Sequence, residues 1–262
     1  MKKCAYCHNT AELRDSHAIP DAFFRSISKD NNGQLIAIPG SDGKIHLSQD
    51  TGKAKLLCED CEREFNKRFD APLVNAYRTW DKAFIEKGSG ATLSFSAEQL
   101  AQGLASIFWR ASVSGNDFYE NASVTTPDID RLLNVVNADR KNVLKLCSCF
   151  ISRLYDKNSQ RDGGFKTDSL SKVILPVTAY RINVGGTQQS NSIAFAAVFQ
   201  GFISHITIPR LPYKFRNKPG YLKPGSVKVR APRTHFADYE PLMEIMVEGK
   251  RKEMDGQSSL KN

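Results

Sequence analysis

Residues 56–66 read LLCEDCEREFN, and how this stretch is read decides how the first third of the chain folds. A short apolar run closes at Cys58, and Cys61 follows three residues on. Beyond it Phe65, Phe69, Leu73, Tyr77, Trp80 and Phe84 recur at three- and four-residue steps. That period predicts an amphipathic helix leaving the cysteine pair, with Pro72 as its point of interruption. The same C-x-x-C spacing occurs at Cys4 and Cys7. Two such pairs fit a tetrahedral four-thiolate zinc site, because each pair can grip one ion from a turn. A closed site of that kind is a scaffold, with no position open for substrate. Two redox pairs or four buried thiols are the alternatives, and a thioredoxin-like motif would need a βαβ context that the flanking sequence lacks.

With 262 residues, 40% of them apolar, the chain can bury a sizeable core. No apolar run approaches the roughly 20 residues of a membrane helix, and MKKCAYCHNT carries no hydrophobic stretch behind its lysines. The expectation is a soluble, cytoplasmic protein with no membrane partner. Formal net charge is +9, and it is local: no acidic residue lies between Asp168 and Asp238, an interval holding ten lysines and arginines. Such a charge favours a polyanionic partner.

Turn formers punctuate the first 90 residues, and QLIAI and KIHLS between them read as short strands. GSGATLSFS at 88–96 reads as a linker or strand-bearing junction. Ser96 with Gln99 makes a capping box for a helix over 97–113, with Leu100, Leu104, Ile107 and Phe108 on its inner face. A further helix or helix pair is expected over about 127–156, capped by Thr126 with Pro127 in its first turn. Cys147 and Cys149 then fall within it as core packing. KVILPVTAYRI and SIAFAAVFQGFISHITI read as strands, and the polar segment 249–262 as a frayed tail.

The candidate chemistry centres on RDSHAIP at 14–20. Cys4-x-x-Cys7, then Ser16-His17-Ala18-Ile19-Pro20, then Leu57-Cys58-x-x-Cys61-Glu62-x-x-x-Asn66 occur in the order and local spacing of the HNH, or ββα-metal, endonucleases. Over residues 1 to about 75 the chain resembles that family. The resemblance implies that His17 is the general base that deprotonates a water for attack on a phosphodiester. Glu62 and Asn66 would hold a catalytic Mg²⁺ or Mn²⁺, while Cys4, Cys7, Cys58 and Cys61 hold a structural zinc. Asp15 and Asp70 are further possible ligands. Ser16 stands where the family has Asp or His, and Lys53 where it often has an asparagine that orients the base. A merely solvated polar helix face is the alternative for Glu62, Asn66 and Asp70.

In the acid-free interval, PRLPYKFRNKPGYLKPGSVKVRAPR interleaves Tyr213, Phe215 and Tyr221 with cations. Cations for phosphates beside aromatics for bases suit nucleic-acid contact, and Arg210, Lys214, Arg216, Lys218, Lys223, Lys228, Arg230 and Arg233 are the candidates; a solvated basic loop is the other reading. The expected architecture is α+β: a zinc-stapled, treble-clef-like ββα-metal domain over 1–90 and an α+β domain with the basic segment over 91–248. The expected activity is metal-dependent hydrolysis of DNA, with RNA as second substrate. Family modules often serve as effectors of bacterial defence, mobile elements or restriction. The competing classes are a catalytically weak relative that binds only nucleic acid or a regulatory protein, and a thiol-redox protein. No GxxxxGK[ST] loop is present to bind a nucleotide.

Overall fold

Cys4 and Cys7 sit in the turn between two short antiparallel strands, Lys2–Lys3 (β1) and Thr10–Ala11 (β2). They belong to a computed structural model that describes residues 1–29, 32–40, 43–87, 92–158, 163–183 and 192–260. Next come Leu13–His17 (β3), Asp21–Ser28 (α1), the hairpin Leu35–Ala37 (β4) with His46–Ser48 (β5), and Lys53–Cys58 (β6). β3 and β6 pair antiparallel, Leu13 opposite Cys58 and His17 opposite Lys53. Cys58 ends β6 and starts Glu59–Phe65 (α2), which continues through a π-helical turn at Asn66–Asp70 into Ala71–Lys87 (α3). The expected interruption at Pro72 is this wide turn. A proline cannot donate to the carbonyl four residues back and its ring crowds it, and the Ala71 amide bonds instead to the Asn66 carbonyl, five residues back.

Thr92–Ser94 (β7) leads into Ala97–Val113 (α4), where the Ser96 hydroxyl accepts from the Gln99 amide at 3.3 Å, as the capping signal predicts. The junction reading at 88–91 lies outside the described residues, as does the Gly185-Gly186 boundary. α4 is buried on almost every side, Arg110 included, because it runs through the middle of the molecule rather than along its surface. Thr126–Asn137 (α5) is capped by Thr125, whose hydroxyl donates to Asp128 at 2.6 Å. The expected helix over 127–156 is then corrected: after the short Val143–Leu146 (α6), residues Ser148–Tyr155 form a strand (β8). Both faces of β8 are covered, with Ser148, Ser152 and Arg153 buried beside its apolar residues, so its sequence lacks the alternation that marks a half-exposed strand. Cys147 and Cys149 are core residues, with Cys149 in β8.

After Thr167–Ser171 (α7), the strands Leu175–Ile182 (β9), Ser192–Phe199 (β10) and Phe202–Ile208 (β11) join β8 in one sheet. The sheet order is Arg233–His235 (β13), β8, β11, β10, β9, with β13 parallel to β8 and the other pairs antiparallel. Gln200 and Gly201, both at positive φ, make the tight turn between β10 and β11. Tyr213–Arg216 (α8) and Lys228–Arg230 (β12) complete the basic segment, and β12 pairs with β7.

One core joins the two ends of the chain. Phe23 stacks on Phe199 at 4.9 Å, Tyr77 lies 5.1 Å from Phe199, and the Tyr77 and Ser204 hydroxyls share a hydrogen bond of 2.6 Å. The apolar face of α3 therefore rests directly on the sheet, and the buried cluster crosses residue 90 without a break. The frayed tail is also corrected. Glu240–Met254 (α9) packs Leu242 under the sheet, and Lys252, fully buried, donates to the Pro39, Gly40 and Gly43 carbonyls. The Ile45 amide bonds to the Gln257 carbonyl at 2.9 Å. A polar tail is ordered here because its donors satisfy carbonyls of a turn that has no ladder of its own.

On the outer face of β11, burial pushes the His205 imidazole down to about 4, and its Nε2 has no hydrogen-bond partner. The unfolded chain takes up this proton near pH 6.5, whereas the folded chain resists until about pH 4, so stability is complete above 6.5 and drains as pH falls through that window. Melts at pH 7 and pH 4.5 should show His205→Leu losing less stability on acidification than wild type, by about 2–3 kcal/mol. Equal losses would mean that His205 does not titrate as its burial requires.

Candidate functional site

The four cysteine sulfurs converge where the β1–β2 turn meets the β6–α2 junction. All lie within 4.8 Å of one another, and Cys7 Sγ stands 3.8 Å from Cys58 Sγ. A tetrahedron of zinc–sulfur bonds of ~2.3 Å has edges of about 3.8 Å, so this donor set fits one zinc ion. The thiols are unbonded to each other, and the Cys58 amide donates to Cys4 Sγ at 3.3 Å. Burial opposes ionisation of Cys4, but amides of Cys7, Cys58 and Tyr6 draw it down to about 7. Cys61 moves upward through burial and its sulfur neighbours. A dication among four sulfurs this close would offset the charge that their thiolates share. The turn itself is closed by the His8 amide on the Cys4 carbonyl at 3.0 Å, with His8 at φ 62°.

Of RDSHAIP, Arg14 to His17 end β3, where a bulge between Arg14 and Asp15 breaks the alternation and leaves both side chains exposed. Ser16 points inward, 1% exposed, and its hydroxyl donates to Glu62 Oε2 at 2.5 Å. Strand end and helix start thus meet at Ser16 and Glu62. Asp15 faces the other way, largely exposed, and pairs with Lys55 at 3.1 Å. It is not part of the Ser16–Glu62 junction. Ala18 and Ile19 are buried, and Pro20 turns the chain into α1. The Ile19 amide donates to the Tyr119 hydroxyl at 3.2 Å.

His17 ends the strand with its Nε2 at 3.0 Å from Thr51 Oγ1 and 3.5 Å from Asp21 Oδ1. Burial lowers its pKa from the ordinary 6.5; Asp21 pulls the other way, and Lys53, Arg110 and Arg25 reinforce burial. The ring is neutral at pH 7, as a base must be. Neither Thr51 nor Asp21 was expected from the motif. Asp21 carries a local signal, being four residues after His17 in the first turn of a helix. Thr51 has none, since it arrives from the turn before β6. That turn needs Gly52, at φ 69°, where a Cβ would meet the Tyr119 ring at 2.5 Å.

Asp70 is claimed from the other side. Arg110 of α4, fully buried, grips both of its carboxylate oxygens, one of them at 2.9 Å, and its guanidinium lies 5.7 Å from the Phe65 ring centroid. Arg110 and Glu62 also attract each other. Asp70 therefore leaves the candidate ligand set, its charge already offset by an arginine. Asn66 is exposed at the start of the π turn. Among the described residues, the four cysteines are the only group of three or more His, Cys, Asp or Glu side chains close enough to share an ion. Arg110→Met should cost about 3–5 kcal/mol by stranding Asp70, whereas Arg110→Met with Asp70→Leu should recover most of that loss. Urea melts of both variants check this, and a harmless single substitution would show that the pair is not buried in solution.

The basic candidates divide into two sets. Lys218, Lys223, Lys228 and Arg230 line one groove of about 580 Å³. Arg210, Lys214, Arg216 and Arg233 do not line it. Arg216 lies over the Tyr213 ring at 5.4 Å, Lys214 over Phe215 at 4.9 Å and Arg233 over Tyr155 at 4.2 Å. Compared with protein families, curated proteins and solved structures, the chain finds no match. No helix among the described residues is long and apolar enough to cross a membrane.

Proposed function

We propose that this chain is a zinc-stapled endonuclease of the HNH, ββα-metal type, cutting phosphodiester bonds in DNA in preference to RNA. The observation that carries the reading is the Ser16–Glu62 hydrogen bond directly beside His17. It joins Glu62 of α2 to the serine of β3 that immediately precedes His17, and this supports the reading. In this reading a zinc on the four cysteines fixes the β1–β2 turn to the β6–α2 junction. His17, neutral and held between Thr51 and Asp21, accepts the proton of the attacking water. Glu62, with the nearby Asn66, offers oxygen donors to a Mg²⁺ or Mn²⁺ ion, which would offset charge on the scissile phosphate. Cations of the basic segment hold the substrate backbone.

Arg110 favours a second reading, in which the chain binds nucleic acid without cutting it. A guanidinium already neutralises Asp70 and attracts Glu62, and only one carboxylate stands at the junction. Incubating supercoiled plasmid, single-stranded DNA and RNA with the protein in Mg²⁺, Mn²⁺ or EDTA, with zinc content assayed alongside, separates the two. The first reading expects divalent-dependent cutting that Glu62→Ala abolishes while zinc is retained. Binding with no cutting in any metal would pass the protein to the second.

A further inference from the structure

We propose that the groove between residues 217 and 232 is a binding track for single-stranded nucleic acid, a deepening that rests on the nucleic-acid reading above. Three observations carry it. The first is charge: Lys218, Lys223, Lys228 and Arg230 line the groove with no aspartate or glutamate among its lining residues. None of these four has an acidic partner within ion-pair distance among the described residues, whereas Arg181, in the same acid-free interval, is bonded to Asp128. Four uncompensated cations converging on one recess repel one another. A line of phosphates relieves that repulsion.

The second is that the recess is built, not left over. Its floor is pinned to β8: the Ile151 amide bonds to the Gly220 carbonyl at 3.0 Å and the Leu222 amide to the Cys149 carbonyl at 2.8 Å. Gly220 stands at φ 96°, where a Cβ would meet the Phe150 ring at 2.5 Å, so this close approach requires glycine. The opposite wall is β12, held by its ladder to β7, and the loop between is tied to α4 by the Ala97 amide on the Ser226 carbonyl at 3.0 Å. Cations on such a frame keep their spacing without a ligand.

The third is shape and stacking. A duplex is read by elements that protrude into its grooves, but these cations line a concavity of about 580 Å³. Tyr221, half-buried on the groove wall, is braced by Phe150 with ring centroids 5.2 Å apart. A positive recess with a braced aromatic accommodates an unpaired strand whose bases are free to stack. The groove therefore selects part of the basic segment. Lys223, Lys228 and Arg230 carry the strand, and Arg210, Lys214 and Arg216 do not.

The test is fluorescence anisotropy of a labelled 20-nucleotide dT oligomer and a duplex of equal length, without divalent ions so that nothing is cut, at several salt concentrations. Wild type should bind the single strand at least tenfold more tightly than the duplex. Lys223→Gln/Lys228→Gln/Arg230→Gln should weaken single-strand binding more than tenfold and reduce the slope of log affinity on log salt by about 2. Lys141→Gln/Lys145→Gln/Lys157→Gln, the same charge change on exposed lysines outside the basic segment, should change affinity less than twofold. Duplex bound as tightly as single strand, or the two triple variants equally impaired, would overturn the assignment. Such a result leaves the cleavage reading standing if plasmid is still cut, whereas intact groove binding with no cutting would remove that reading and keep the groove.

Discussion

Cys58→Ser should lose the zinc and unfold the N-terminal unit, the largest stability effect expected of any single substitution here. Cys58 ends β6, caps α2, and donates its amide to Cys4 Sγ, so three connections pass through one residue. The first knuckle has little regular structure of its own, β1 and β2 being two residues each, and besides the sulfurs it is held by the Ala5 amide on the Leu56 carbonyl and by Tyr6 against Phe65 and Trp109. Ligand binding is folding energy in such modules, with structural zinc contributing about 10–16 kcal/mol in isolated fingers at neutral pH, comparable to the ~5–15 kcal/mol stability of a whole domain. Metal analysis should give one zinc per chain for wild type and none for the variant, with a lower, less cooperative melt. Because the ligands must be deprotonated, acid should release the metal as well. A zinc-free wild type that melts as one cooperative unit would end this account of the cysteines.

The cysteine cluster was legible because its signal is short-range twice over: two C-x-x-C turns, each sufficient to aim two sulfurs, needed only one fold-back to meet. The helix from Glu59 onward and the cap at Ser96 were equally legible, since period and capping residues act within a turn or two. β8 was not, because burial on both faces, Ser152 and Arg153 included, erases the alternation that would mark a strand. The ordered tail was missed for a related reason. Lys252 finds its carbonyls more than 200 residues away, and nothing near it in sequence announces them.

The site divides along the same line. Ser16, His17 and Glu62 could be found from local motifs, and the structure brings Ser16 to Glu62. Arg110 could not be placed as the partner of Asp70 by any motif, since 40 residues separate them. Its one signal was local: Glu98, Gln102, Ser106 and Arg110 recur at four-residue steps, a narrow polar stripe on an otherwise apolar helix. A charge in such a position is buried only with a partner, so a search for an unclaimed carboxylate on the neighbouring helix would have reached Asp70. The basic segment was legible as charge, but only the fold shows that four of its cations line a groove while Lys214 and Arg216 lie over its own aromatic rings.

His17→Ala should lower the cleavage rate by about 10²–10⁴ while zinc content, melting temperature and DNA affinity stay near wild type. The imidazole is poised for proton transfer by its surroundings. Burial and the positive charges of Lys53, Arg110 and Arg25 keep it neutral at pH 7, and Thr51 and Asp21 hold its Nε2 side. Because its pKa is lowered, the acid limb of wild-type activity should have its midpoint below pH 6.5, where an unperturbed histidine would already have lost about half its activity. Alanine removes the proton acceptor and leaves the Ser16–Glu62 junction and the cysteine cluster untouched, so the defect should fall on rate rather than on binding. The most direct measurement is the single-turnover nicking rate of supercoiled plasmid in Mn²⁺ by wild type and His17→Ala, compared at equal bound DNA. The account predicts a loss of at least a hundredfold in the variant. A variant that nicks as fast as wild type would contradict it, and would return His17 to the role of a side chain that closes the turn before α1.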